Sequence, residues 1–486
     1  MSDRDPESKR RPTSTSAFGV SRRESHDASA FYGRFAAPHI SNDEVIAVNP
    51  PAALDQIHVG DARHMAEVLD SSVALVVTSP PYFAGKEYET ALGEGHVPAS
   101  YREYLQVLTD VFAECVRKLE PGGRIAVNVA NLGRRPYRSL AADVITILQD
   151  DLNLLLRGEI VWVKGAGASG STAWGSFQSA ANPVLRDLSE RVIVASKGRF
   201  DRALARKQRE EQGLPSEVSI FKDDFMEATT DVWELPTESA KRVKHPAPFP
   251  VELPLRLIEL YTYRGDVVLD PFIGSGSTAV AAVRSERHFV GYDTDPDYVD
   301  IARERVAAET TSATGETRAR VVRRAGSDIA APNESEHQVA LREGRSAKEI
   351  ARALLADCGF TEIAEDQKLN DGIEVSFTAR DAAGERWLFD LAGTFTTARS
   401  GLRRTETVLR ALGKAAVIKS DDPLIFLTTN LPPAGSPGDL ALRAGRENVF
   451  HDAIEMLSVA GQERLRHYAT GKDRSEPQGE LLPPAP

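Results

Sequence analysis

The chain has 486 residues, enough for two or three domains, and 41% of them are hydrophobic, which supports real cores. Its net charge of −12 argues against binding nucleic acid through bulk positive charge and leaves that task to locally concentrated basic residues. No stretch approaches a membrane span, the N-terminus carries no apolar signal region, and two cysteines offer no disulfide framework, so a cytoplasmic protein is expected.

Residues 1–45 are rich in Ser, Arg, Asp and Pro with little periodicity and read as a disordered tail. A strand around Ile57-His58-Val59 follows, ending at Gly60-Asp61. Val73-Ala74-Leu75-Val76-Val77 is short, apolar and β-branched, as expected of a buried parallel strand, and runs into Thr78-Ser79-Pro80-Pro81-Tyr82. Two prolines end the ladder because neither donates a backbone N–H. The turn therefore displays a fixed carbonyl, a hydroxyl and an aromatic face at the usual ligand edge of an α/β sheet, groups suited to a planar base with an exocyclic amine. Helical spacing over 101–118 puts Tyr104, Leu108, Val111 and Phe112 near one face, with Cys115 read as a buried small hydrophobe, like Cys358 later. Gly122-Gly123 leads into a strand over 124–129, then a helix over 136–156 and a strand over 159–163 are expected.

Residues 165–245 lack a strong parallel repeat. Arg199, Arg202, Arg206, Lys207 and Arg209 form a candidate basic cluster there, with a solvated helix as the plainer reading. Val267-Val268-Leu269-Asp270 then reads as a strand, followed by the loop Pro271-Phe272-Ile273-Gly274-Ser275-Gly276 and a helix start at Ser277-Thr278. Either hydroxyl could cap that helix, and the glycines would let a ligand approach the backbone. The next strand, 288–292, ends at Asp293, about twenty residues on, where an acid can bind ribose hydroxyls. Position 279 is Ala, so the third glycine of the dinucleotide fingerprint is missing, which argues against a nicotinamide enzyme.

Together these motifs resemble the DNA amino-methyltransferases, in the class whose catalytic motif precedes the cofactor motif. The resemblance implies a Rossmann-like α/β sheet that uses S-adenosylmethionine, with Ser79, Pro80, Pro81 and Tyr82 as the catalytic motif. It implies cofactor contacts from Asp270, Pro271, Phe272, Gly274, Ser275, Gly276, Ser277 and Thr278, with Asp293 at the ribose and Asp61 toward the adenine. His245, Pro246 and Phe249 fit the segment that closes over the methionine end. The segments 158–164, 174–177 and 186–194 also look like family segments, so the likeness spans about 50–310.

The chemistry explains the residue types. The amine's lone pair is delocalised into the ring, and accepting its N–H bonds on Ser79 Oγ and the Pro80 carbonyl would localise that pair for attack on a sulfonium methyl. Tyr82 would stack on a base flipped from the duplex. Methylation at carbon 5 of cytosine needs a cysteine nucleophile, which neither cysteine's setting provides. In the family a serine at the first motif position is commoner with cytosine N4, so N4 is favoured over adenine N6. The implied partners are double-stranded DNA and a cognate restriction endonuclease. An RNA or protein-amide acceptor, and a non-catalytic DNA-binding defence component, are the competing readings.

On this reading 46–310 is the methyltransferase domain, with a recognition insert at about 165–245 whose 165–179 and 198–244 face DNA. A helix at 297–309 precedes a basic linker at 311–345, carrying Arg318, Arg320, Arg323 and Arg324. Residues 346–470 form a smaller α/β domain, followed by a tail at 471–486. Its expected elements are a helix at 347–358, a hairpin of 372–378 with 385–391, a helix at 401–416, a strand at 423–428 and a helix at 448–468. The order is similar to that of restriction-type nucleases. Asp371 or Glu374 with Asp390 could supply metal-binding carboxylates, but Ala392 stands where the lysine is expected, unless Lys414 or Lys419 substitutes.

Overall fold

The computed structural model describes residues 40–81, 100–131, 137–164, 180–183, 185, 188–237, 249–320, 345–369, 372–393, 401–403, 405–446 and 448–471, and for 312–320 the backbone alone. An eight-stranded sheet contains β1 (Gln56–Val59), β2 (Val73–Thr78), β3 (Leu119–Val129), β4 (Leu155–Val163), β5 (Ser189–Ser196), β6 (Val232–Glu234), β7 (Val267–Asp270) and β8 (His288–Asp293). Their order across the sheet is β1-β8-β7-β2-β3-β5-β4-β6. Only β5 runs against its neighbours, β3 and β4. The late strands β7 and β8 thus lie between the early strands β1 and β2, and the crossovers diverge from the seam between β7 and β2. In an open α/β sheet such a reversal leaves a crevice at the strands' carboxyl ends, where ligands bind.

All six residues of β2 are buried, which accounts for its unbroken apolar run. On one face lies α1 (Tyr101–Lys118), started by Ser100, whose side chain accepts from the Glu103 N–H, and buried along Tyr104, Leu108, Val111, Phe112 and Cys115. The other face carries α5 (Glu252–Tyr261), α6 (Ser277–Arg284) and α7 (Pro296–Arg320). Between these, α2 (Leu140–Thr146), α3 (Arg206–Glu211) and α4 (Lys222–Ala228) are short. The expected helix at 136–156 is cut to α2 and a π turn, Ile147–Asp151, because β4 begins at Leu155, earlier than expected. β3 likewise begins five residues early, at Leu119. α7 continues through Arg320, so the span read as a linker begins helical.

The second sheet has the order β13-β12-β11-β10-β9, from β9 (Thr361–Lys368), β10 (Glu374–Arg380), β11 (Arg386–Leu391), β12 (Leu424–Thr428) and β13 (Asp452–Glu455). β9, β10 and β11 form an antiparallel meander, and β12 and β13 continue it in parallel. α8 (Ala347–Cys358) and α11 (Val459–Ala469) bury against one face, α9 (Thr405–Val417) and α10 (Pro437–Arg446) against the other. The expected helix at 448–468 is instead β13, a turn and α11. β9 and α10 are additional, β9 because its exposed Thr, Glu, Asp and Lys residues carry no clear two-residue alternation. The two sheets are bridged by the insert. Phe221 is buried in the core around α8 and Trp387, and Asp223 Oδ2 accepts the first N–H of α8, from Ala347, at 2.7 Å.

Candidate active site

At the carboxyl end of β2, Thr78 is fully buried and its Oγ1 donates to Asp270 Oδ1 of β7 at 2.6 Å. Thr278 Oγ1 donates to the other carboxylate oxygen at 2.7 Å, and the Phe272 N–H reaches Oδ1 at 3.1 Å. This carboxylate thus locks together the catalytic strand, the cofactor strand and α6. Burial pushes its pKa up to about 6. Ser79, half-buried, and Pro80, buried, follow directly and so stand beside the loop after β7, with Pro81 half-buried behind them.

The loop 271–276 is held at three points. Ile273 N–H donates to the Tyr292 carbonyl at 2.9 Å, Gly274 N–H to Asp293 Oδ2 at 3.0 Å, and Gly276 N–H to the Ile273 carbonyl at 2.8 Å. Asp293 also accepts from the Asp295 N–H at 3.0 Å, and burial raises its pKa. Among the described residues neither Asp270 nor Asp293 carries an ion pair. An edge holding two carboxylates without a counter-cation fits a positively charged ligand.

The capping expectation is corrected here. Gly276, not Ser277 or Thr278, is the N-cap of α6, in the left-handed region at φ 85°. Ser277 Oγ donates instead to the Phe249 carbonyl at 3.0 Å, and Thr278 to Asp270. A Cβ on Gly276 would lie 2.9 Å from Ala302 Cβ, so the bare backbone there admits α7. Ser275 is buried under Arg305, which donates to its carbonyl at 2.5 Å and its hydroxyl at 3.0 Å. Asp61 accepts from the Arg63 side chain and backbone, and that hydrogen bonding holds its carboxyl below the usual range. Pro271 and Phe249 are buried and Phe272 half-buried. Tyr82, His245, Pro246 and 165–179 lie outside the described residues.

The basic cluster is largely scaffold. Arg202 and Arg209 are tucked beneath the opposite edge of the sheet, pairing with Glu120 at 2.5 and 3.2 Å and with Asp266 at 3.1 and 2.8 Å. The same segment donates from Ala203 N–H to the Pro121 carbonyl, and Gly122 N–H donates to the Lys197 carbonyl. Gly122 takes φ 77°, and a Cβ there would strike the Asp201 carbonyl. Arg199 reaches the Asp43 carbonyl, while Lys207 remains exposed. This part of the insert therefore lies away from Ser79.

Residues the sequence reading did not single out also converge on the site: Thr78, and Asn128, Glu190 and Lys164 from β3, β5 and the end of β4. The signals were their placement at strand ends and, for Lys164 and Glu190, the family-like segments 158–164 and 186–194. In the C-terminal sheet, Asp390 is 4% exposed and accepts from Lys414 Nζ at 2.7 Å and Ser376 Oγ at 3.1 Å. Lys414 of α9, rather than Lys419, is thus the lysine beside the acid of β11. Asp371 lies outside the described residues.

A mostly parallel α/β sheet with a glycine loop and two acid-tipped strands, β7 and β8, on one side of its switch point defines the Rossmann-like class to which S-adenosylmethionine methyltransferases belong. A family model for the N6/N4 type of DNA methylase matches residues 73–304. The Type II methyltransferase M.Cfr9I of Citrobacter freundii is 30% identical over 284 residues, covering 52% of this chain and 88% of that protein. M.BglI of Bacillus subtilis, also a Type II methyltransferase, is 28% identical over 311 residues, covering 52% and 85%. A provisionally assigned DNA modification methylase from Thermus thermophilus, solved with S-adenosyl-L-methionine, is 32% identical with a TM-score of 0.40, covering 52% and 94%. The chain belongs to the N6/N4 DNA methylase family, the DNA amino-methyltransferases that take S-adenosylmethionine as cofactor. Among the described residues no helix is long and apolar enough to cross a membrane.

Proposed function

We propose that the chain methylates the N4 amine of a cytosine flipped out of double-stranded DNA, in a modification or restriction-modification system. The observation that carries this reading is the position of Ser79 and Pro80 at the end of β2, next to the loop after β7 and joined to it through the Thr78–Asp270 bond. Ser79 Oγ and the Pro80 carbonyl accept the two amine N–H bonds, which lets the nitrogen pyramidalise and localise its lone pair. S-adenosylmethionine, when bound, supplies a methyl on a positively charged sulfur that passes to this nitrogen as the S–C bond breaks. The surplus amine proton leaves to solvent, and Tyr82 stacks on the displaced base. Asp293 binds the ribose hydroxyls, Phe249 and Phe272 flank the cofactor, and Asp270, Ser277 and Thr278 hold the loop in shape. Serine in place of an acid or amide supports cytosine over adenine.

The same reading makes residues 46–310 the methyltransferase and 346–470 a restriction-nuclease-like module that binds DNA or a partner; Ala392 stands where the lysine of the acid-x-lysine pair belongs, and Lys414 reaches Asp390 from α9 instead. The test is incubation of the full chain with labelled S-adenosylmethionine and unmethylated duplex DNA, followed by nucleoside mass spectrometry. N4-methylcytosine is expected, and Ser79→Ala is expected to lower its yield at unchanged cofactor affinity. N6-methyladenine would overturn the choice of base, and label confined to RNA or protein would overturn the substrate.

A further inference from the structure

Four consecutive strands, β2, β3, β5 and β4, bring one polar side chain each to the edge that carries Ser79. Beyond Ser79 these are Asn128 near the end of β3, Glu190 at the start of the reversed strand β5, and Lys164 just past β4. Asn128 is 2% exposed and Glu190 8%. Lys164 Nζ lies 2.5 Å from Glu190 Oε1, Glu190 Oε2 lies 2.5 Å from Asn128 Nδ2, and the same nitrogen lies 3.4 Å from Ser79 Oγ. The reversal of β5 is what places Glu190 here, since on a parallel strand its opening residue would sit at the far edge.

An ionised carboxylate only accepts, so Glu190 requires the nitrogen and not the oxygen of the Asn128 amide to face it. That nitrogen's second hydrogen then faces Ser79. Lys164 is partly exposed but Glu190 is buried, and a buried carboxylate carries a desolvation cost that an apolar side chain there would not. The consequence of the arrangement is geometric. A serine oxygen can occupy any of three χ1 rotamers and its hydroxyl hydrogen rotates readily, and in-line methyl transfer tolerates little displacement of the groups that hold the amine.

We propose that Lys164, Glu190 and Asn128 form a positioning chain for Ser79, holding its hydroxyl oxygen with one lone pair occupied and the other turned to the substrate amine. The proposal rests on the role given to Ser79 above. Lys164 neutralises and orients Glu190, Glu190 fixes the orientation of the Asn128 amide, and Asn128 fixes the serine. At 3.4 Å the Asn128–Ser79 contact is at the long end for a hydrogen bond, and catalytic hydrogen bonds commonly tighten when substrate binds. None of the three touches the reacting atoms.

Glu190→Gln tests the chain. The new amide turns a donor toward Asn128, so that Asn128 reverses and offers its carbonyl oxygen to Ser79 instead. The expected result is a fall in kcat of about tenfold to a hundredfold, with KM for DNA and Kd for S-adenosylmethionine within about twofold of the unaltered protein. Lys164→Met, at a half-buried position that leaves the strands intact, is expected to show the same split at smaller size. A double-mutant cycle is the decisive readout: in a Ser79→Ala background Glu190→Gln is expected to cause no further loss. An equal loss in both backgrounds, or an unchanged kcat in the single variants, overturns the positioning chain while leaving the methylation reading standing. Absence of transfer by the unaltered chain overturns that reading and this proposal with it.

Discussion

The two edges of the eight-stranded sheet both bury charge, and they finish it in opposite ways. At the amino ends of β3 and β7, Glu120 and Asp266 share two guanidinium groups, and both arginines also lie over the Tyr263 ring, at 5.4 and 5.2 Å. These two carboxylates are matched by cations of the scaffold itself. At the carboxyl ends of β7 and β8, Asp270 and Asp293 are held by hydroxyls and backbone N–H groups alone. Burial raises both pKa values, and a neighbouring carboxylate adds to each, Asp293 to Asp270 and Asp295 to Asp293. The first edge is closed by its own cations and the second is left negative, which suits a cofactor whose reactive sulfur carries positive charge. The contrast teaches that buried charge marks a binding edge only where the protein withholds the counter-ion.

Removing a cation from the closed edge should cost most. Arg209→Met leaves Glu120 and Asp266 short of a fully buried partner, and a loss of about 3–5 kcal/mol is expected in urea denaturation. A variant within error of the unaltered protein would show that the edge is not an interlocked ion network. Next is Asp270, whose pKa in the fold stands above its unfolded value of 3.8. Its stabilising contribution is therefore complete below about pH 4 and is lost as pH rises through about 6. Asp270→Asn, which keeps an acceptor for Thr78, should flatten that slope, a difference of about 3 kcal/mol across the window. Parallel pH profiles for the two proteins would remove the carboxylate from the account. Smallest is Asp293→Asn, expected to weaken S-adenosylmethionine about tenfold by calorimetry and the product S-adenosylhomocysteine, whose sulfur is uncharged, less. Equal weakening of both ligands would mean that the open edge does not read the sulfonium charge.

Legibility followed the range of the forces involved. β2, β7, β8 and α1 could be read because each is defined by a run or a period within its own residues. The helix expected at 136–156 failed because β4 claims Leu155 and Leu156 by pairing with β5, a contact invisible locally. Arg202 and Arg209 looked like a nucleic-acid footprint because their partners, Glu120 and Asp266, are distant in sequence. The loop hydroxyls were read as caps for the same reason. Thr278 belongs to Asp270 and Ser277 to Phe249.

By itself, then, the sequence determined the class of chemistry. A proline-terminated strand and a glycine loop between strand and helix are local objects whose backbone demands only certain residue types can meet, and their order along the chain names the family. Tertiary structure decided which polar groups serve the reaction and which serve the fold. It set β7 beside β2, aimed Thr78 at Asp270, turned β5 over to bring Glu190 to Asn128, and folded the arginines of the insert beneath the far edge. Each of those outcomes depends on finding a partner for a buried polar group, and such partners lie tens to hundreds of residues away, where no local pattern can point.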